Sequence, residues 1–359
     1  MTTVLARIIS ERIAAGGPMR IDRYMELCLG HPELGYYQTR DPFGTAGDFV
    51  TAPEVSQMFG ELIGAWTAVV WSDLGRPSPF ILAELGPGRG TLMRDALRVA
   101  ARAPGFVGAV RPWLVETSPV LRQVQARTLR GSLCADGPFW TERVEMVPPG
   151  PMILLANEFF DALPVRQFQR VDQLWRERQV ELREGALVLG QAAPRPEPWL
   201  SARFPDLPDG AFVETCPAGE AIAARIGTRL VRGGGAALVI DYGAWDGHGD
   251  TLQALRRHMP VDILDAPGSA DLTTHVRFRT LAEAAAPARA WGPVGQGAFL
   301  ERLGIDLRAA TLSEGKDAAA IEAIAAAHRR LTHPDEMGNL FQAMALTSPA
   351  ATAPPGLEA

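Results

Sequence analysis

Lysine is almost missing from this chain: Lys316 stands alone, and the other basic residues are arginines. Acidic residues outnumber basic ones, 41 to 35, and the formal net charge of −6 is spread without a long block of either sign. The dense basic surface that a phosphate backbone requires is therefore absent, which argues against nucleic acid as a partner. Arginine in place of lysine, beside abundant alanine, glycine and proline, reads as compositional bias rather than as a binding surface. Cysteine is scarce too. Cys28, Cys134 and Cys216 are odd in number, widely spaced and without a CxxC pair. That excludes a disulfide framework and a cysteine zinc site, and suits a reducing compartment. No apolar run reaches the roughly 18 residues of a membrane span, so no membrane insertion is expected. The six histidines form no HExxH or other metal-ligand cluster, and neither a GxSxG elbow nor a P-loop GK[ST] occurs.

What is present is the pattern of an ordinary globular protein large enough for one domain with insertions or two smaller ones. Residues 2–15 and 53–72 have helical apolar spacing, and a turn-rich aromatic stretch from Gly30 to Pro53 joins them. Met1 to Ala15 carries Arg7 and Arg12 on an apolar pattern, but Glu11 interrupts it and no cleavage motif follows, so it reads as a helix rather than a targeting segment. From Phe80 onward, short apolar runs alternate with amphipathic helices: 80–84 then 91–102, 112–116 then 119–130, 152–156, and 221–231 then 236–240. Such alternation implies a parallel sheet covered by helices, an α/β fold. Ser118 followed by Pro119 marks a helix start. Residues 165–213 break the rhythm with three strand-like runs and a Pro-rich stretch, and read as a β-rich insertion. The expected division is an N-terminal extension over 1–78 packing on the cofactor site, a core over 79–164 and 214–346 with helices near 277–287 and 317–331 and a final strand at 340–346, the insertion at 165–213, and a flexible tail over 347–359.

The strongest local signal is Glu84-Leu85-Gly86-Pro87-Gly88-Arg89-Gly90 between a strand and a helix. Glycines there let backbone amides approach a ligand that a Cβ would exclude, and the helix N-terminus faces a polar ligand end. A dinucleotide fingerprint requires a third glycine where Thr91 stands. The pattern is instead ExGxGxG, the form that curls around the methionine tail of S-adenosylmethionine (SAM). Glu84, Gly86, Pro87, Gly88 and Gly90 are thus candidate cofactor contacts. Glu116, ending the next strand, is placed to accept hydrogen bonds from two ribose hydroxyls. A third strand ends in Asn157-Glu158-Phe159-Phe160-Asp161-Ala162-Leu163-Pro164. Asn157, Glu158 and Asp161 lie where open α/β sheets bind ligands, and two carboxylates beside two rings suit a cationic acceptor. A capped turn over two core phenylalanines is the competing reading. The segment loosely echoes the Asn-Pro-Pro-Phe signature of base-directed amino methyltransferases, without its prolines. Asp48 and Thr51 (in Gly47-Asp48-Phe49-Val50-Thr51), Asp241 (in Ile240-Asp241-Tyr242-Gly243) and His275 complete the candidates, each equally compatible with a structural role.

Together these segments resemble the MidA-type methyltransferases, the family that includes the mitochondrial complex I assembly protein-arginine methyltransferase. The likeness rests on Gly35-Tyr36-Tyr37, Gly47 to Thr51, Glu84 to Leu92, Glu116 to Pro119, Asn157 to Pro164, Asp241 to Gly243, Asp250-Thr251-Leu252-Gln253, and Asp271 to Phe278. It covers residues 18 to 346. Arg277 departs from it, an acidic residue being expected before Phe278, and the paired-glutamate loop of typical arginine methyltransferases is absent. The resemblance implies a seven-stranded, Rossmann-like methyltransferase sheet with a reversed edge strand, N-terminal helical additions and an inserted β-rich lobe. It further implies methylation of an arginine on an iron–sulfur subunit of respiratory complex I, with Glu158 and Asp161 standing in for the paired glutamates.

The reading is therefore a SAM-dependent protein methyltransferase, catalytic candidates Glu158, Asp161, Asn157, Asp241 and His275, in a cytoplasmic, bacterial setting. A base or small-molecule amine methyltransferase would share the cofactor site. A non-catalytic assembly chaperone on the same fold would fail to bind SAM. A nicotinamide enzyme is disfavoured by Thr91.

Overall fold

Six consecutive buried residues, Phe80–Leu85 (β1), form an inner strand of a mostly parallel sheet, which explains their near-continuous apolar character. In the computed structural model, which describes residues 3–39 and 50–358, β1 is flanked by Val110–Val115 (β2) and Met152–Asn157 (β4). Phe139–Thr141 (β3) extends the sheet beyond β2, and Gly235–Ala244 (β5), Arg289–Gly295 (β6) and Phe341–Thr347 (β7) complete it in the order β3-β2-β1-β4-β5-β7-β6. The two-residue strand Val276–Arg277 pairs with the end of β5. Strands β1 to β5 are mutually parallel, and β7 runs antiparallel to both β5 and β6. This is the expected Rossmann-like methyltransferase sheet, with one correction: the reversed strand is second from the edge. Burial explains the placement, because β7 is buried at six of its seven positions whereas β6 is only half-covered, as an edge strand should be.

Register fixes what the strand ends present. Leu85 lies opposite Val115 and Ala156, and Asn157 opposite Ile240, so Gly86, Glu116, Asn157 and Asp241 emerge at neighbouring carboxyl ends. Helix Gln57–Asp73 (α1) packs closely on helix Thr91–Ala100 (α2). A Cβ on Gly64 would come within 2.5 Å of the Ala96 carbonyl, and one on Gly60 within 2.8 Å of the Asp95 Cβ. These glycines, four apart and so on one helix face, set the approach. Buried Glu61 between them is held by Arg308 at 2.5 and 3.0 Å and by Arg98 at 2.8 Å. Helix Pro119–Thr128 (α3) starts as its sequence predicts, the Ser118 hydroxyl accepting from the Leu121 amide.

These elements belong to the unit formed by Phe43–Phe160, Glu220–Trp245 and Val276–Ala359. The second unit comprises Met1–Pro42, Asp161–Gly219 and Asp246–His275. Its antiparallel strands Arg166–Val171, Leu174–Arg183, Ala186–Gln191 and Phe212–Thr215 form one sheet with Met19–Arg20, over a core of Phe168, Trp175, Leu200, Phe204 and Val213. The turns Asp172-Gln173 and Glu184-Gly185 have positive φ at both positions, the geometry that matches the twist of a two-residue hairpin. Boundaries thus differ from those expected. The segment 1–78 is divided because Met19–Arg20 pairs with Leu174–Arg183 and the Tyr24 hydroxyl donates to the Ile263 carbonyl, whereas α1 packs on α2. The tail differs as well: Leu357 is buried in the core of the sheet unit, and Arg302 donates to the Gly356 carbonyl.

Candidate functional site

The loop after β1 turns on three left-handed glycines, Gly86 (φ 57°), Gly88 (φ 52°) and Gly90 (φ 80°), a conformation costly for any residue with a Cβ. The Gly90 amide closes the turn onto the Pro87 carbonyl at 2.7 Å, and Gly90 then caps α2. A Cβ on Gly86 would come within 2.9 Å of the Phe159 ring, so the first glycine makes room for the residue after Glu158. Glu84, buried at the end of β1, has one carboxylate oxygen without a hydrogen-bond partner. Burial pushes its pKa well above the usual range, the Met93 amide opposes this, and the nearby Glu116 raises it further. Glu116 accepts the Ser118 amide on Oε1 at 2.7 Å and the Gln125 side chain on Oε2 at 3.1 Å. Its pKa is raised as well, by burial first, with the Ser118 amide and Gln125 pulling it back.

At the end of β4, Asn157 donates to Glu158 Oε1 at 3.1 Å while its own carbonyl oxygen is buried and unpartnered. Glu158 stands at φ 50°, unusual for a residue with a side chain, and its Oε1 also accepts the Ala52 amide at 2.9 Å. Asp241, fully buried on β5, accepts the amides of Phe159 at 3.2 Å and Phe160 at 2.9 Å on one oxygen and that of Tyr242 at 3.0 Å on the other. Its carboxylate thereby sets the path of the turn after Glu158. Thr51 is buried just before the short helix Ala52–Val55, which carries Glu54. Glu54 accepts the Thr91 hydroxyl at 2.5 Å and lies 3.8 Å from Arg89, so this segment is tied to both the glycine loop and Glu158. Asp48, with Gly47 and Phe49, lies outside the described residues.

Asp161 and His275 belong to the second unit. The Asp161 carbonyl accepts the Thr274 amide at 2.9 Å, and the adjacent His275 amide donates to the Thr251 hydroxyl at 2.9 Å. Glu214 in turn holds Thr251 and Leu252 by their amides. The Tyr37 hydroxyl donates to Asp271 at 2.7 Å, and burial together with the Asp271 and Asp161 carboxylates pushes its pKa well up. His275 is exposed, and desolvation by its neighbours lowers its pKa from the ordinary imidazole value.

The structure thus brings Glu84, Gly86 to Gly90, Glu116, Asn157, Glu158 and Asp241 to adjacent strand ends of one unit, and leaves Asp161 and His275 in the other. Two residues escaped the reading of the sequence. Glu54 gave no local signal. Gln125 did: it shares one helix face with Leu121 and Leu129, and a glutamine inside a buried apolar stripe needs partners.

Two buried acids at adjacent strand ends, Glu84 with one oxygen unpartnered, fit a ligand that brings hydroxyls and a cationic amino group. SAM brings both, and Glu84, the loop Gly86–Gly90 and Glu116 are the residues that would hold it, while its sulfonium would supply a methyl group ready for displacement. Among the described residues no cluster suits a metal ion, and no helix is long and apolar enough to cross a membrane.

Comparison with known proteins supplies the family. Residues 62–295 match a family model described as "putative S-adenosyl-L-methionine-dependent methyltransferase". The chain is 37% identical, over 93% of its length and 84% of the relative's, to the mitochondrial protein arginine methyltransferase NDUFAF7 of Danio rerio. It is 35% identical to that of Homo sapiens, over 96% of this chain and 83% of the other. A Burkholderia thailandensis protein solved with S-adenosyl-homocysteine bound superposes with a TM-score of 0.83 at 30% identity, covering 99% of this chain and 92% of that one. One expectation falls here: a cytoplasmic setting is overturned, because these curated relatives and that of Drosophila melanogaster are all mitochondrial by name. The chain belongs to the NDUFAF7/MidA-type family of SAM-dependent methyltransferases.

Proposed function

We propose that this methyltransferase modifies an arginine side chain of a protein, and that the acceptor is an iron–sulfur subunit of respiratory complex I. The observation that carries the acceptor class is the 37% identity, across 93% of the chain, to a relative named a protein arginine methyltransferase. The complex I subunit rests on the family resemblance of the motif Asn157 to Pro164 and its companions. Glu84, Gly86, Pro87, Gly88, Gly90 and Glu116 hold the cofactor, with Thr51 and Asn157 beside them. Glu158 opposes the acceptor guanidinium, and Asp241 keeps the turn that follows it in place.

Arginine arrives protonated at neutral pH, so its site must orient the guanidinium and take a proton as the new C–N bond forms. A carboxylate opposes the cation and accepts from its nitrogens. Positioning supplies much of the acceleration, the sulfonium being a good leaving group already.

Labelled SAM offered with candidate acceptors, followed by mass spectrometry of arginines in co-purified proteins, tests the acceptor class. Label appearing only on bases or small amines would refute it. For the site, Glu158→Gln is expected to cut single-turnover methylation about a hundredfold or more while SAM affinity stays within about threefold. Because Glu158 also holds the Ala52 amide, melting temperature is measured on the same preparations. Activity loss that merely tracks the folded fraction assigns Glu158 a structural role, and wild-type turnover shifts the search to Asp48, Asp241 and His275.

A further inference from the structure

Gln125 lies wholly buried on α3, and its side-chain amide connects three parts of the cofactor half of the site. Its Nε2 donates to the Gly88 carbonyl at 2.8 Å and to Glu116 Oε2 at 3.1 Å. Its Oε1 accepts the Trp140 indole N–H at 2.9 Å. Chemistry fixes the orientation of this amide. An indole nitrogen only donates and a carbonyl or carboxylate oxygen only accepts, so the reverse orientation would lose all three bonds. We propose that Gln125 is a positioning residue for cofactor binding: one amide nitrogen holds the glycine loop and the Glu116 carboxylate in fixed relation, and Trp140 locks that amide in place.

The loop needs such a tie. Three left-handed glycines lose much conformational entropy when ordered, and a bond to the middle carbonyl limits what binding must still order. Glu116 needs it as well. The charged and titratable groups that act on this carboxylate are Glu84 on β1 and Arg122 on α3; the Ser118 and Thr117 amides and Gln125 supply its hydrogen bonds. Gln125 is a neutral donor and favours the ionised form, the form able to accept hydroxyl groups of a bound nucleoside. Removing it does two separable things: it loosens the loop, and it raises the pH at which Glu116 takes up a proton.

The inference rests on the reading that Glu116 receives the ribose, so the experiment carries a control for that reading. SAM binding to the intact protein is followed by calorimetry from acidic to neutral pH in wild type, Gln125→Met, Gln125→Glu and Glu116→Ala. Gln125→Met is expected to weaken binding about tenfold or more at neutral pH, and to move the acid-side loss of affinity upward by about one pH unit. A glutamine that only fills space would weaken binding equally at every pH and leave that limb unmoved, which overturns the proposal. Gln125→Glu covers the case in which the methionine variant fails to fold. Protonated, its carboxyl still donates; ionised, it repels Glu116 and the Gly88 carbonyl, so SAM binding should weaken as pH rises, opposite to wild type. A wild-type pH profile in Gln125→Glu likewise overturns the proposal. Unchanged affinity in Glu116→Ala instead defeats the ribose reading, whatever the glutamine variants do.

Discussion

At the end of β1 the buried carboxylate of Glu84 keeps one oxygen without a partner, whereas at the end of β5 the carboxylate of Asp241 is taken up by three backbone amides. Both acids are buried in one unit, yet their surroundings assign them different work. A buried carboxylate short of donors destabilises the empty protein, and a ligand that completes its hydrogen bonds removes the cost. One fully satisfied by the chain acts as a strut: Asp241 holds the turn that carries Glu158, Phe159 and Phe160. Acids of similar burial thus divide into a cofactor half that waits for donors and an acceptor half whose frame is finished in advance.

The comparison breaks most severely at the glycine loop. Gly88→Val is expected to abolish measurable SAM binding in calorimetry while circular dichroism remains that of wild type. The valine would have to adopt φ 52° and would occupy the surface where backbone amides meet the ligand. Wild-type affinity in this variant would remove the loop from the cofactor site altogether.

Matched substitutions on the two sides sharpen the contrast. Asp241→Asn puts an NH2 group where an oxygen received amides, and is expected to cost about 2–4 kcal/mol of stability in denaturant unfolding. Glu84→Gln replaces a buried carboxyl group whose second oxygen has no partner, and is expected to leave the empty protein as stable as wild type or more so while weakening SAM binding. Equal stability losses in both variants would show that the two acids are structural alike.

How much of this was legible in the sequence depends on the range over which each feature is decided. β1, the glycine loop and α2 were plain because a buried parallel strand is a continuous apolar run and the loop needs glycine wherever φ is positive. The β3 strand, three residues long and partly covered, and the edge strand β6 gave no such run and were missed. Helix Ile21–Gly30 buries Ile21, Tyr24, Met25, Cys28 and Leu29 at helical spacing, a short pattern that the aromatic stretch following it obscures. Glu54 was beyond local reading altogether, since its partner Thr91 lies 37 residues away. The same holds for the division into units, which turns on Met19–Arg20 pairing with a strand some 160 positions later. Gln125 differs in kind: the polar break in the stripe Leu121, Gln125, Leu129 was visible, but only the fold names Gly88, Glu116 and Trp140 as its partners.

The smallest expected effect is a pH dependence of the empty protein's stability. Burial raises the folded-state pKa of Glu84 far above the unfolded value, and that of Glu116 also lies above it. Between the unfolded and folded values the native state therefore holds more protons than the unfolded chain. The stability these two groups contribute is present below the ordinary carboxylate range and is lost as pH rises through their folded values. Glu61 works in the opposite sense: burial opposes ionisation, but Arg308 and Arg98 prevail and lower its pKa, so its contribution is present at neutral pH and is lost on acidification. A single melting profile mixes the two, and the informative quantity is the difference between wild type and Glu84→Gln. Melting temperature without cofactor should fall more steeply from mildly acidic to neutral pH in wild type than in the variant. Saturating SAM should flatten the wild-type fall, because donors supplied by the ligand favour the ionised carboxylates. Parallel profiles for the two proteins without cofactor would mean that Glu84 is ionised and satisfied by the chain, and the contrast with Asp241 would collapse.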